Sequence, residues 1–141
     1  MNIDGITNGL VIDHIEAGKG MDLYNALHLG ELESSVALIK NVTSRKMGKK
    51  DIIKVDEVLD VDLDILGFID PNITVNIIKN NERVQKKHIE LPKMVKNIIK
   101  CKNPRCITST EQELPHIFKL TNPEKRTYRC LYCETEAEKR Y

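Results

Sequence analysis

A chain of 141 residues, 40% hydrophobic and 30% charged, has room for one ordinary domain or two small ones and the composition of a folded protein rather than a disordered one. Its formal net charge of +1 gives no global attraction to nucleic acid or to a membrane surface, and no uninterrupted apolar run approaches the roughly 20 residues that cross a bilayer. With no Trp, two Phe and four Tyr, the core has to come from Ile, Val and Leu, a β-branched set that favours sheet.

In chain order, the run from Gly9 to Ile15 reads as a strand, broken by Gly18 and Gly20. Met21, Tyr24 and Leu27, with Leu23 and Ala26 beside them, recur at helical spacing and predict a helix over 21–29. Ser35 to Val42 and Lys49 to Val55 read as two strands around the Lys46-Met47-Gly48-Lys49 loop. Asp62 is placed to cap a helix carrying Leu63, Ile65, Leu66 and Ile69, which Pro71 ends. Ile73 to Ile78 is the clearest strand, followed by an Asn80-Asn81 turn and a return strand through Val84. The order strand, helix, strand, strand, helix, strand predicts an α+β, ferredoxin-like domain: an antiparallel sheet with two helices on one face, widened by the strand after residue 82. Leu91-Pro92 opens a lysine-rich connection (Lys93, Lys96, Lys100) that marks a boundary between domains over 1–92 and 93–141.

All four cysteines follow residue 100 in the pattern C-x4-C, 23 residues, C-x2-C. Each close pair fits a tight turn that presents two thiolates, and the long insertion supplies hairpin strands that bring the turns together. Met1 to Gly5 lacks the basic start and apolar stretch of a signal peptide, so the expected address is the cytoplasm, where disulfides are disfavoured. An iron–sulfur cluster also takes four cysteines, but widely split pairs suit a zinc ribbon better. One structural zinc on Cys101, Cys106, Cys130 and Cys133 is expected, within a small all-β, zinc-ribbon-like domain that has few large apolar residues of its own. Such a ribbon also serves as a nucleic-acid module, with Lys93, Lys96, Lys100, Lys102 and Arg105 as phosphate contacts. Glu111, Glu113, Glu134, Glu136 and Glu138 give the same segment a mixed surface and weigh against that reading.

The first domain lacks a phosphate-cradling glycine motif and any nucleophile–base set, and Asp60, Asp62 and Asp64 read as the solvated start of a helix rather than a catalytic pair. The parity of its strands says more. Side chains alternate with period two, so Lys50, Ile52 and Lys54 share one face, as do Thr74, Asn76 and Ile78. A lysine face and an asparagine face on one open sheet leave two readings, a merely solvated surface or a site for an anionic ligand such as a nucleotide. Asp13 and His14 would add a ribose acceptor and a titratable phosphate partner.

Val11-Ile12-Asp13-His14-Ile15, Met47-Gly48-Lys49-Lys50-Asp51-Ile52-Ile53-Lys54 and Thr74-Val75-Asn76, followed in order by the cysteine pattern, together resemble the regulatory chain of aspartate carbamoyltransferase over nearly the whole sequence. The resemblance implies an allosteric domain that binds nucleoside triphosphates, with CTP inhibiting, ATP competing for the same site and UTP assisting CTP. It implies a zinc domain that touches the catalytic chain, and regulatory dimers that bridge two catalytic trimers. The chain itself would perform no chemistry; its partner condenses carbamoyl phosphate with aspartate at the committed step of pyrimidine biosynthesis. Carried over residue by residue, Asp13 and Lys54 face the ribose, His14 and Lys86 the phosphates, and Lys50 and Asn76 line the same pocket. Backbone groups near Gly5, Ile6 and Ile78 read the base edge. Asn81 stands where relatives carry an aromatic residue, and Arg83 where they carry a small apolar one.

Overall fold

In the computed structural model, which describes residues 7–138, the first apolar run forms β1 (Gly9–Glu16). Leu10, Ile12 and Ile15 are fully buried in it, and the strand lies at the centre of a sheet. A turn through Gly18, at a φ of +99° that favours glycine, leads into α1 (Gly20–Ala26). The helix expected over 21–29 stops early, because His28 takes a left-handed conformation (φ 55°) and the chain continues as a short 3-10 turn over Leu29–Glu31.

Strands β2 (Val36–Ser44) and β3 (Gly48–Val55) form a hairpin, and α2 (Leu63–Ile69) follows. Asp62 caps α2 as expected, its Oδ1 accepting from the Asp64 N–H at 2.9 Å. β4 (Thr74–Lys79) then pairs with β5 (Glu82–His88) around Asn80 and Asn81, both at positive φ (53° and 64°), the backbone of a two-residue primed turn. β5 runs past Val84 to His88, longer than its exposed polar sequence suggested. The strand order is β2-β3-β1-β4-β5 with every pairing antiparallel, the ferredoxin-like arrangement with one strand added at the β4 edge. One face carries Leu10, Ile12, Ile53 and Val75 into a core shared with Leu23, Leu66, Phe68 and Ile69.

Two buried carboxylates tie loops to this core. Asp51 accepts from the N–H groups of Gly18 (3.1 Å), Gly20 (3.0 Å) and Asn41 (3.1 Å), and Asp70 from those of Glu16 (2.9 Å) and Asn72 (3.0 Å). A Cβ on Gly20 would lie 2.7 Å from Leu38 Cδ1 and 2.8 Å from Asp51 Oδ2, so the start of α1 sits against β2 and β3 only as glycine.

The chain divides into two compact units, Met1–Glu90 and Leu91–Tyr141. The second holds a three-stranded antiparallel sheet in the order β6-β7-β8, from β6 (Met94–Lys96), β7 (Ile117–Asn122) and β8 (Thr127–Cys130). Two expectations change here. The lysine-rich stretch is not all linker: Met94–Lys96 is an edge strand that buries Val95 and leaves Met94 and Lys96 in solvent, and that composition reads as a connection. The unit is also not purely β, since one turn of helix, α3 (Ile107–Thr110), follows Cys106 and buries Thr108.

Candidate functional site

The open face of the five-stranded sheet is built around an irregularity. Ile12 pairs with Ile53 and Ile15 with Asp51, so Asp13 and His14 together lie opposite Ile52 alone, and His14 has a φ of 57°. Neighbours in a regular strand point to opposite faces; this bulge turns both the same way. Asp13 Oδ1 lies 2.9 Å from Lys50 Nζ, and His14 Nδ1 lies 2.9 Å from Thr74 Oγ1. The His14 N–H also donates to Asp13 Oδ1 at 2.6 Å.

Beside the bulge is a cleft of about 360 Å³. Val11, Ile52 and Ile78 form its apolar floor, with Val42 packed against them, and Asp13, Lys54, Asn76 and Arg83 supply the polar lining. Asn76 is buried; its Nδ2 donates to the Val11 carbonyl at 3.4 Å, and its Oδ1 has no hydrogen-bond partner among the described residues. Lys86, exposed on β5, lies across from Asn76.

Charge is concentrated at the bulge. Burial works to raise the Asp13 carboxyl, but the Lys50 ammonium and the His14 N–H outweigh it and hold the group below the usual carboxylate range. Burial pushes His14 below the usual imidazole range; Asp13 opposes that shift, and Lys50, Lys86 and Lys46 reinforce it. An aspartate, a neutral imidazole and several ammonium groups around one sheet end form a surface that attracts anions and retains one hydroxyl acceptor.

In the second unit, Cys101, Cys106, Cys130 and Cys133 bring their sulfurs within 4.8 Å of one another, with 3.6 Å between Cys101 and Cys133 and 3.7 Å between Cys106 and Cys130. These distances are far too long for disulfides. A tetrahedral ion with metal–sulfur bonds of about 2.3 Å would separate its ligands by about 3.8 Å, so the four thiols fit such an ion. Backbone N–H groups of Asn103, Tyr132, Cys133 and Thr135 are directed at the sulfurs, an arrangement that stabilises thiolates. Burial nevertheless pushes Cys101 up to about 12, whereas at Cys133 burial is outweighed by the Thr135 hydroxyl and N–H, which bring it down to about 6. Thiols this close ionise together only beside a cation, and four sulfurs fill a tetrahedral shell without an open position.

Of the residues expected to bind a ligand, Asp13, Lys54, Asn76 and Ile78 line the cleft, His14 and Lys50 each contact Asp13 at the bulge, and Lys86 stands on the neighbouring edge strand. Gly5 and Ile6 lie outside the described residues. Sequence reasoning put Ile52 and Thr74 on the open face by strand parity but gave them no role, left out the floor residue Val11, and noted Arg83 only as a departure. The signal for Arg83 was present: a two-residue turn at Asn80-Asn81 sets Lys79 against Glu82 and therefore Ile78 against Arg83. The next step was not readable, since a register shift after Ile78 is what brings Lys86, three residues from Arg83, across from Asn76.

Comparison with known proteins accounts for both units. Residues 1–90 match the family model described as aspartate carbamoyltransferase regulatory chain, allosteric domain, and residues 93–141 the one described as the metal binding domain of the same chain. The chain is 55% identical over 134 residues to the aspartate carbamoyltransferase regulatory chain of Clostridium acetobutylicum, covering 95% of this chain and 92% of that one. Identity to the chain of that name in Clostridium tetani is 51% over 135 residues (95% and 94% covered), and to that of Bifidobacterium longum 38% over 138 residues (98% and 99%). A metal-ready cysteine cluster and a bulged, charged sheet face thus occur in a chain that belongs to the family of aspartate carbamoyltransferase regulatory chains.

Proposed function

We propose that the open sheet face binds a nucleoside triphosphate, and that its occupancy controls a catalytic chain held by the metal unit, within pyrimidine biosynthesis in the cytoplasm. The observation that supports this reading most is the cleft itself: an apolar floor of Val11, Ile52 and Ile78 for a base, next to a hydroxyl acceptor and a group of cations. Asp13 accepts from the ribose and Lys54 lies beside it. His14 and Lys86 hold the phosphates, Lys50 fixes Asp13, and Asn76 completes the wall. Backbone groups near Ile78 meet the base edge. CTP and ATP compete for this one site, and UTP assists CTP.

The chain carries out no chemistry of its own. Zinc suits the four thiols best, because it takes four sulfurs tetrahedrally and has no redox role; when bound it fixes the loops that carry its ligands. Those loops present exposed Ile107, Leu131 and Tyr132, the last two between Cys130 and Cys133, as a docking surface for the catalytic chain. A second copy of the regulatory chain completes a dimer that bridges catalytic trimers. Control then requires a coupling free energy of about 1–3 kcal/mol between the two ligands, which is no more than the effector's differential affinity for two assembly states.

Calorimetric titration of CTP and ATP into the complex with the catalytic chain, wild type and Lys54→Ala, tests the site. Competitive binding that weakens in the variant is expected. Equal binding by both proteins removes Lys54 from the site, and no binding by wild type removes the site.

A further inference from the structure

We infer that Arg83 selects the base of the bound triphosphate, favouring a ring that presents a carbonyl oxygen over one that presents an exocyclic amine. This rests on the nucleotide reading above and specifies which nucleotides the site prefers.

The orientation of the ligand follows from the charge on the sheet. Three successive cross-strand rows run along the face: Asp13 with Thr74, Val11 with Asn76, and Gly9 with Ile78. The first row holds the bulge, where His14 feels Lys50, Lys86 and Lys46. The third row continues across β4 to Arg83. Thr74 and Ile78 are four residues apart, about 13 Å along an extended strand, which suits the distance between the two ends of a nucleotide. Phosphates drawn to the cations leave the base at the Ile78–Arg83 end.

Toward that end Val11 and Ile78 cover a ring face but have no polar side-chain atoms with which to tell one base from another. Arg83 does. Arg83 lines the cleft, and among the described residues its guanidinium takes part in no hydrogen bond or ion pair, so no described residue occupies its donors. A guanidinium has five N–H donors, no acceptor, and a charge it does not lose. Against the amine of adenine or cytosine it meets donor with donor. Against the O6 and N7 of a 6-oxopurine, or the O4 of uracil, it forms charge-assisted hydrogen bonds.

The test compares ITP with ATP, and UTP with CTP, by calorimetry on the assembled complex, because each pair differs at the exocyclic group Arg83 is inferred to read and at the ring nitrogen beside it, and the Arg83 variant separates the two. Wild type should favour ITP over ATP and UTP over CTP by at least about fivefold. Arg83→Met, which keeps an apolar stem on an exposed edge strand, should bring both ratios close to one while ATP and CTP lose little. Ratios near one in wild type, or unchanged in the variant, overturn the inference. So does a variant that weakens all four nucleotides equally, which would make Arg83 a phosphate contact. If wild type binds none of the four, the nucleotide reading fails first and this inference with it; level ratios in a wild type whose binding Lys54→Ala still weakens overturn the inference alone.

Discussion

The first unit holds Leu10, Ile12, Ile15, Ile53, Leu66 and Phe68 at 0% exposure, a continuous core between sheet and helices. In the second, the buried apolar side chains among the described residues are Pro92, Val95, Ile99, Phe118 and Tyr128, joined by two of the clustered cysteines, Cys106 and Cys130. Both units are antiparallel sheets, yet only the first has enough interior to hold itself together by burial. The sulfur cluster occupies the place in the second that a core occupies in the first. Stability and function are accordingly divided: the sheet face that would sense a ligand stands on hydrophobic packing, and the surface that would hold a partner stands on a metal.

The strongest way to break that comparison is to remove the metal. Ion binding is worth about 10–16 kcal/mol of apparent folding free energy in small cysteine sites, more than a unit of this size can replace. A strong chelator, or Cys106→Ser, should unfold 91–141 and release the catalytic chain. Amide resonances of 9–88 should stay dispersed and nucleotide binding should persist. Parallel loss of both sets of resonances would show that the units are not independent.

The converse experiment acts on the first unit. Phe68→Ala should cost about 3–5 kcal/mol, seen as a lower urea midpoint for the nucleotide-binding transition, with metal content by atomic absorption unchanged. Asp51→Ala should follow at about 3 kcal/mol, since it leaves the N–H groups of Gly18, Gly20 and Asn41 without their acceptor. Metal loss in either variant would contradict the separation of the two units.

What the sequence revealed, and what it withheld, follows the same division. Regular periodicity was readable: the alternation of Ile73 to Ile78, the Asp62 cap with its Pro71 stop, and the paired cysteines each carry their physics locally. The sheet faces were readable too, so Lys54 and Asn76 fell together by counting in twos. Breaks in that counting were hidden. Nothing in Val11-Ile12-Asp13-His14-Ile15 announces that His14, a non-glycine residue, adopts a positive φ and joins Asp13 on one face. The register shift beside Ile78 is equally silent. Asp51 sits in a lysine-flanked strand where no neighbour names its role, and distant N–H groups make it a buried anchor. Residues whose roles come from partners far along the chain were the ones sequence alone misassigned or left out.

The smallest effect separates the units by how they respond to protons. His14 lies below the usual imidazole range and is neutral near neutral pH. A triphosphate brought against it favours the imidazolium, so binding takes up a proton wherever the pH lies between the depressed free value and the higher bound value. Affinity should therefore rise as pH falls through that window, by at most about tenfold per unit, or about 1.4 kcal/mol. Asp13, held low, stays ionised there and adds no slope. His14→Gln should remove the slope, and it also records the background from the ligand's own terminal phosphate. Without ligand the sign reverses: the unfolded chain, with an ordinary histidine near 6.5, takes up the proton first, so acidification costs the first unit stability. The second unit should show no such single-proton slope; it should hold its metal and then lose it steeply, as several thiolates are protonated together. A shallow, one-proton loss of metal would mean that the four sulfurs do not act as a single site.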